Sequence, residues 1–203
     1  MSVNKLIIAL LSVISIFLLT ISFFLDSESE LYNLLNLYDY GLCVFFLYDF
    51  FAELRRSKNR WKYFLTYGWL DLLSSIPVIH ELRFARAFRV FRVFRIFKSY
   101  KILVNFLKSN KKESFYGFSV MFIILSIITS SFLVLYFEHE SGNITTAEET
   151  LWWSFVTITT VGYGDLYPVT TIGRIFASIL IITGIFGFGA VISYLNDLVK
   201  KWR

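Results

Sequence analysis

Apolar residues along this chain fall into long runs separated by short charged intervals. The runs at 5–25, 114–137 and 171–195 approach or exceed the ~20 residues that an α-helix needs to cross a hydrocarbon core. Two further runs, 37–54 and 61–79, are as apolar but carry acids: Asp39, Asp49 and Glu53 in one, Asp71 in the other. A sixth stretch, 82–98, departs from every simple pattern, because a cation stands at each third position between apolar pairs. Two amphipathic pieces complete the reading. Residues 99–113 are basic on one side, and 147–159 form a short helix opened by Thr146-Ala147-Glu148-Glu149, whose spacing suits a capping box. The pattern predicts an all-α membrane protein.

Composition sharpens this. The 203 residues are 56% hydrophobic, against about 45–50% for a soluble domain. Prolines are confined to Pro77 and Pro168, and the lone cysteine, Cys43, sits in an apolar run, so no disulfide framework is expected. The net charge of +5 raises nucleic acid as a partner, but its distribution speaks against one. Fourteen basic residues lie at Lys5, Arg55–Lys62, Lys98–Lys112 and Lys200–Arg203. Placing all four stretches on the cytoplasmic side satisfies the positive-inside rule with an even number of crossings between them. The opposite loops are then acidic (Asp26, Glu28, Glu30, Glu81, Glu138, Glu140, Glu148, Glu149, Asp165), and Arg174 is their single basic residue. Both termini are expected in the cytoplasm. The first run has no A-x-A cleavage pattern and reads as a retained crossing.

The acids inside the membrane demand partners, since an unpaired intramembrane carboxylate is costly. Asp39, Phe46, Asp49 and Glu53 fall within an arc of about 80° on a helix turning ~100° per residue. The matching cations are Arg83, Arg86, Arg89, Arg92, Arg95 and Lys98, interleaved with Phe88, Phe91, Phe94 and Phe97. At this spacing they spiral around an α-helix or line up along a 3₁₀-helix. Charges so placed step past fixed acids one after another, which is the design of an arginine-rich voltage sensor. The competing reading is a basic amphipathic helix lying on the membrane surface. That helix would gather its cations at i, i+3, i+4 and i+7 instead.

Thr160-Val161-Gly162-Tyr163-Gly164, followed by Asp165, carries the chemistry. A TVGYG run is the element whose backbone carbonyls replace the hydration shell of a potassium ion. Gly162 and Gly164 tolerate the left-handed backbone angles that turn carbonyls toward one axis. One chain supplies one carbonyl per layer, so a closed cage implies a homotetramer. The competing reading is a tight glycine turn in an unrelated membrane loop.

With these motifs in view, the chain resembles the six-helix voltage-gated potassium channels of the small prokaryotic kind over nearly its whole length. The resemblance implies a four-helix voltage-sensor bundle at 1–98 (helices about 5–25, 37–54, 61–79 and 82–98) and a sensor–pore linker at 99–113. It implies a two-helix pore module at 114–203, with outer helix 114–137, re-entrant pore helix 147–159, selectivity filter 160–164 and inner helix 171–195. Phe46 and Asp49 on the second helix, with Asp71 on the third, match the family's charge-transfer site, and Asp39 resembles its outer acid. Trp152 and Trp153 correspond to the aromatic cuff, with the Trp152 indole expected to bond Asp165 behind the filter. Some small bacterial channels place a glutamate on the pore helix where Val156 stands here. Gly184 matches the gating-hinge position, although close helix packing explains a glycine there equally well. Tyr167 matches the aromatic that rings the pore entrance and binds external quaternary ammonium blockers; an interfacial belt position is the alternative.

The expectations are therefore a passive potassium channel with potassium held only by filter carbonyls, no cofactor, no ligand-binding domain and no enzymatic activity. Its setting would be the prokaryotic cytoplasmic membrane, with anionic lipids possible partners of the basic linker. The absence of room for nucleotide- or calcium-binding domains, or for an amino-terminal assembly domain, puts tetramerisation on the pore. Two rival functions are a voltage-insensitive leak channel with a structural sensor-like bundle, and a basic membrane-surface interaction protein that is no channel at all.

Overall fold

A computed structural model describes residues 3–57, 59, 61, 64–69, 72, 111–140 and 142–202. In chain order its elements are α1 (Val3–Phe24), α2 (Glu30–Arg56), a π-helical turn (Phe64–Gly68), α3 (Lys111–Glu138), α4 (Ala147–Ile158) and α5 (Thr171–Trp202). Asp71, the cation repeat from Arg83 to Lys98 and most of the 99–113 linker lie outside the described residues. Four of the described helices are long and apolar enough to cross a membrane: Leu6–Phe24, Glu30–Arg56, Phe115–Glu138 and Thr171–Lys200.

Helix ends differ from the apolar runs for local reasons. α2 begins at Glu30, well before residue 37, because Ser29 caps it. The Ser29 hydroxyl accepts from the Tyr32 amide at 3.2 Å, and its carbonyl accepts from the Asn33 amide at 3.1 Å. A cap of this type is worth about 1 kcal/mol, enough to carry the helix through the polar Asn33 and Asn36. Glu30 therefore opens a helix instead of closing an acidic loop. α3 begins at Lys111, inside the stretch read as linker, and α5 runs past residue 195 to Trp202, since polar Asn196 and Asp197 end the apolar run without breaking the helix.

The chain divides into two compact units, Met1–Phe24 with Asn36–Ser114 and Leu25–Leu35 with Phe115–Arg203. In the first unit, α1 buries Leu6, Leu10, Ile14 and Leu18, one helical face at every fourth position. α2 buries Leu42, Cys43, Phe46 and Phe50 on one side and exposes Val44, Phe45, Tyr48 and Phe51 on the other. Asp39 is buried on that same inward face and Asp49 is half-buried, each with interaction partners. The second unit takes in residues 25–35, which the resemblance placed within the sensor bundle at 1–98.

In the second unit α3 and α5 run antiparallel. Between apolar helices in lipid there is no hydrophobic gain, so packing and interhelical hydrogen bonds decide the fit. Ser126 and Thr183 share a hydroxyl–hydroxyl bond at 2.9 Å, and Phe122 meets Phe186 edge to face with centroids 6.3 Å apart. At the far end, the Tyr116 hydroxyl donates to Asp197 Oδ2 at 2.9 Å while its ring packs on Tyr194. Ser119, Ser130 and Ser131 are buried as small contact residues should be; Thr129 is exposed and takes no part. α4 wedges against α5 through a core of Val134, Ile144, Trp153, Ile158 and Leu180.

Candidate functional site

The short helix α4 aims the site, and its amino end is elaborately fixed. Thr146 is extended (φ −115°, ψ 160°), and its hydroxyl accepts from the Glu149 amide, completing the capping box. The Glu149 carboxylate accepts in return from the amides of Thr145 (2.9 Å) and Thr146 (3.1 Å). These two amides hold its carboxyl below the ordinary glutamate value of 4.5. The box satisfies helix-end donors that would otherwise be orphaned.

At the other end α4 unwinds into the TVGYG run. The Thr160 amide donates to Thr157 O (3.0 Å), a tighter bond than the helical one. The Val156 carbonyl is thereby released to accept from Val161 N (3.1 Å) and Gly162 N (3.4 Å). Two successive amides converging on one oxygen form a nest, made by alternating right- and left-handed residues. The backbone angles agree: φ is +60° at Thr160, +60° at Gly162 and +78° at Gly164, with Val161 and Tyr163 outside the left-handed region. In a planar trans peptide the carbonyl points opposite to the amide. The carbonyls of Thr160 and Val161 therefore face away from α4. Thr160 is the one non-glycine at positive φ among the described residues, at a cost of about 1–2 kcal/mol. Sequence reasoning assigned this conformation to the glycines and missed the threonine.

Aromatic and acidic groups brace the segment from behind. Trp152 Nε1 donates to Asp165 Oδ2 at 2.8 Å, and the indole stacks on the Tyr163 ring with centroids 5.9 Å apart and planes 7° off parallel. That indole donor is the main reason the Asp165 carboxyl sits below its ordinary value of 3.8. Trp153, the next residue on the helix, is instead buried in the core. Val161 and Tyr163 are more than half exposed in the single chain, as is Tyr167 beyond them. Gly184 of α5 lies against the Ile158 carbonyl, where a Cβ would collide with backbone.

Glu138 is the functional residue the sequence concealed. Read there as a loop acid, it ends α3 fully buried and accepts from the amides of Val169 and Thr170 (2.8 Å each) and from the Thr170 hydroxyl. It thereby fixes the connection from the TVGYG segment to α5. Its single sequence signal was an acid abutting an apolar run. His139 beside it is exposed and bonded through Nδ1 to Thr145 O at 2.8 Å.

One end of a helix thus presents a strained strip of carbonyls, held from the α4 side by the Val156 carbonyl and by Trp152. Residues 2–203 match the family described as Ion transport protein. The chain belongs to that family. Within it, 83 residues are 41% identical to "Potassium voltage-gated channel subfamily V member 2" of Mus musculus, covering 40% of this chain and 15% of that protein. An 81-residue stretch is 32% identical to the "Voltage-gated potassium channel" of Aeropyrum pernix, 39% of this chain and 28% of that one. A third relative, "Potassium voltage-gated channel subfamily A member 7" of Homo sapiens, is 34% identical over 87 residues, 42% and 19% of the two chains. The matched stretches span less than a third of each relative's length. Family membership and the four apolar helices make this an integral membrane protein.

Proposed function

We propose that the chain is the subunit of a homotetrameric, voltage-gated, potassium-selective channel of the small prokaryotic kind, seated in the cytoplasmic membrane with both termini inside. The observation that carries the reading is the alternating backbone at Thr160, Gly162 and Gly164, with the Val161 and Gly162 amides returned to the Val156 carbonyl and the Thr160 and Val161 carbonyls facing away from α4. Four such strips around an axis replace the water shell of a dehydrated potassium ion. The carbonyl end of α4 adds a partial negative charge nearby. No cofactor takes part; the ion itself is the cargo.

Voltage sensing rests on the cations Arg83, Arg86, Arg89, Arg92, Arg95 and Lys98 moving past Asp39, Phe46, Asp49 and Asp71. The relatives bearing voltage-gated names support it. One charge crossing a ~100 mV potential gains ~2.3 kcal/mol, so a few arginines in each of four subunits bias the pore steeply. Gly184 serves as the packing point or hinge of α5, Tyr167 as the external blocker site, and the basic linker as a contact for anionic headgroups.

The test is electrical. Purified protein in planar bilayers should give currents whose reversal potential follows the potassium gradient and ignores sodium. The conductance–voltage curve should be steep and become shallower, or shift, in Arg89→Gln. Equal sodium permeation overturns the potassium assignment. A flat curve points to the leak channel, and absence of flux to the membrane-surface protein.

A further inference from the structure

Ala147, the first residue of α4, is almost wholly buried, so water cannot serve its amide. The capping box does not serve it either, since Thr146 and Glu149 satisfy one another. The partner comes from 117 residues earlier in the chain: the Ala147 amide donates to Glu30 Oε2 at 2.7 Å. Glu30 stands in the first turn of α2, where its other oxygen accepts from Asn33 Nδ2 at 3.3 Å and Ser29 fixes the turn. Residues 25–35 and α4 belong to one compact unit, so this bond is internal to it.

The contact is a point attachment rather than part of a broad seal. A cavity of about 720 Å³, lined by Glu28, Leu31, Tyr136 and His139 among others, separates the turn from the end of α3. A carboxylate suits the place for two reasons. A charge-assisted hydrogen bond is about twice as strong as a neutral one. The amino end of a helix also carries partial positive charge, which the Glu30 carboxylate offsets.

We propose that Glu30 is a positioning residue of the conduction site. Its carboxylate pins the amino end of α4 to the α1–α2 turn, and α4 transmits that position to the TVGYG segment at its other end. α4 is only 12 residues long, and it holds the segment through Val156 O near its far end and through Trp152 at its middle to Asp165. Loosening one end tilts the other. The inference rests on the channel reading above and adds a regulatory point to it: the turn before α2 sets how long the filter stays conducting.

The experiment compares wild type, Glu30→Gln and Glu30→Ala as full-length channels in bilayers and by amide hydrogen exchange in nanodiscs. In Glu30→Ala the Ala147 amide should exchange about tenfold faster or more, and current should decline faster during a maintained voltage step. Glu30→Gln keeps the shape and an oxygen acceptor but loses the charge. It should lie between wild type and Glu30→Ala in both readouts, a partial rescue that general destabilisation would not give. If Glu30→Ala fails to assemble, Glu30→Gln against wild type decides, with Ala147 exchange expected to rise severalfold. Unchanged exchange and unchanged current decline in Glu30→Gln and in any assembled Glu30→Ala overturn the inference while leaving the channel intact. Absence of potassium current in wild type would instead overturn the channel reading, and exchange at Ala147 would still report on the tether.

Discussion

Gly184 lies against the carbonyl oxygen of Ile158, so α5 touches the last residue of α4 backbone to backbone. Of the two roles open to this glycine, close packing is the one the contact requires. Gly184→Ala should push the two helices apart and cost about 1–3 kcal/mol, as overpacking does. The measurement is thermal stability of the assembled protein beside its conductance–voltage curve. A pure hinge role would leave stability unchanged and alter gating alone.

The bond from Trp152 to Asp165 makes a pH prediction. Asp165 has a lowered pKa, so whatever it contributes is fully present above 3.8 and fades only as pH falls through the lower folded value. Trp152→Phe removes the largest cause of that shift. In the variant, Asp165 should protonate nearer its ordinary value, and conduction should fail at a higher pH during acidification than in wild type. Superimposable pH curves would argue that the indole does not govern this carboxylate.

Glu138 is a buried acceptor for three donors. Glu138→Gln offers a single acceptor oxygen and turns an amide group toward the one backbone donor left over, Val169 N or Thr170 N. The cost should be about 1–3 kcal/mol, the usual range for a buried group left unsatisfied. Lower thermal stability together with less durable potassium current is expected. A variant with wild-type stability would show that water takes over the orphaned amide.

Tyr167 stands beyond Asp165 and is more than half exposed. Four copies of it around the mouth of the proposed tetramer can hold a quaternary ammonium ion through cation–π attraction, worth ~0.5–2 kcal/mol per good contact. External tetraethylammonium should block, and Tyr167→Val should weaken block about tenfold, equivalent to ~1.4 kcal/mol. Equal block in both would place the ring among the headgroups.

How much of this was legible beforehand depends on distance along the chain. The capping box at Thr146 and Glu149 was readable because its partners are three residues apart and the pattern is local. The four described long helices were legible as apolar runs, though their ends moved wherever a cap such as Ser29 overrode the hydropathy pattern. Glu138 and Glu30 were legible only as acids. Their acceptor roles depend on amides 31, 32 and 117 positions away, and no periodicity records such a pairing. Thr160 shows another limit. Its left-handed angle is imposed by neighbours and opposes its own preference, so propensity pointed to the glycines alone.

The released Val156 carbonyl bears on how the proposed channel is made. The oxygen that shapes the TVGYG strip belongs to the helix immediately before it, in the same polypeptide. In the proposed tetramer, each newly inserted subunit can thus mould its own quarter of the ion cage before meeting its siblings. Assembly then has only to close a ring of finished parts. A defect in α4 would be inherited by every quarter that carries it, and a single faulty copy among four would leave one wall of an otherwise sound cage misshapen.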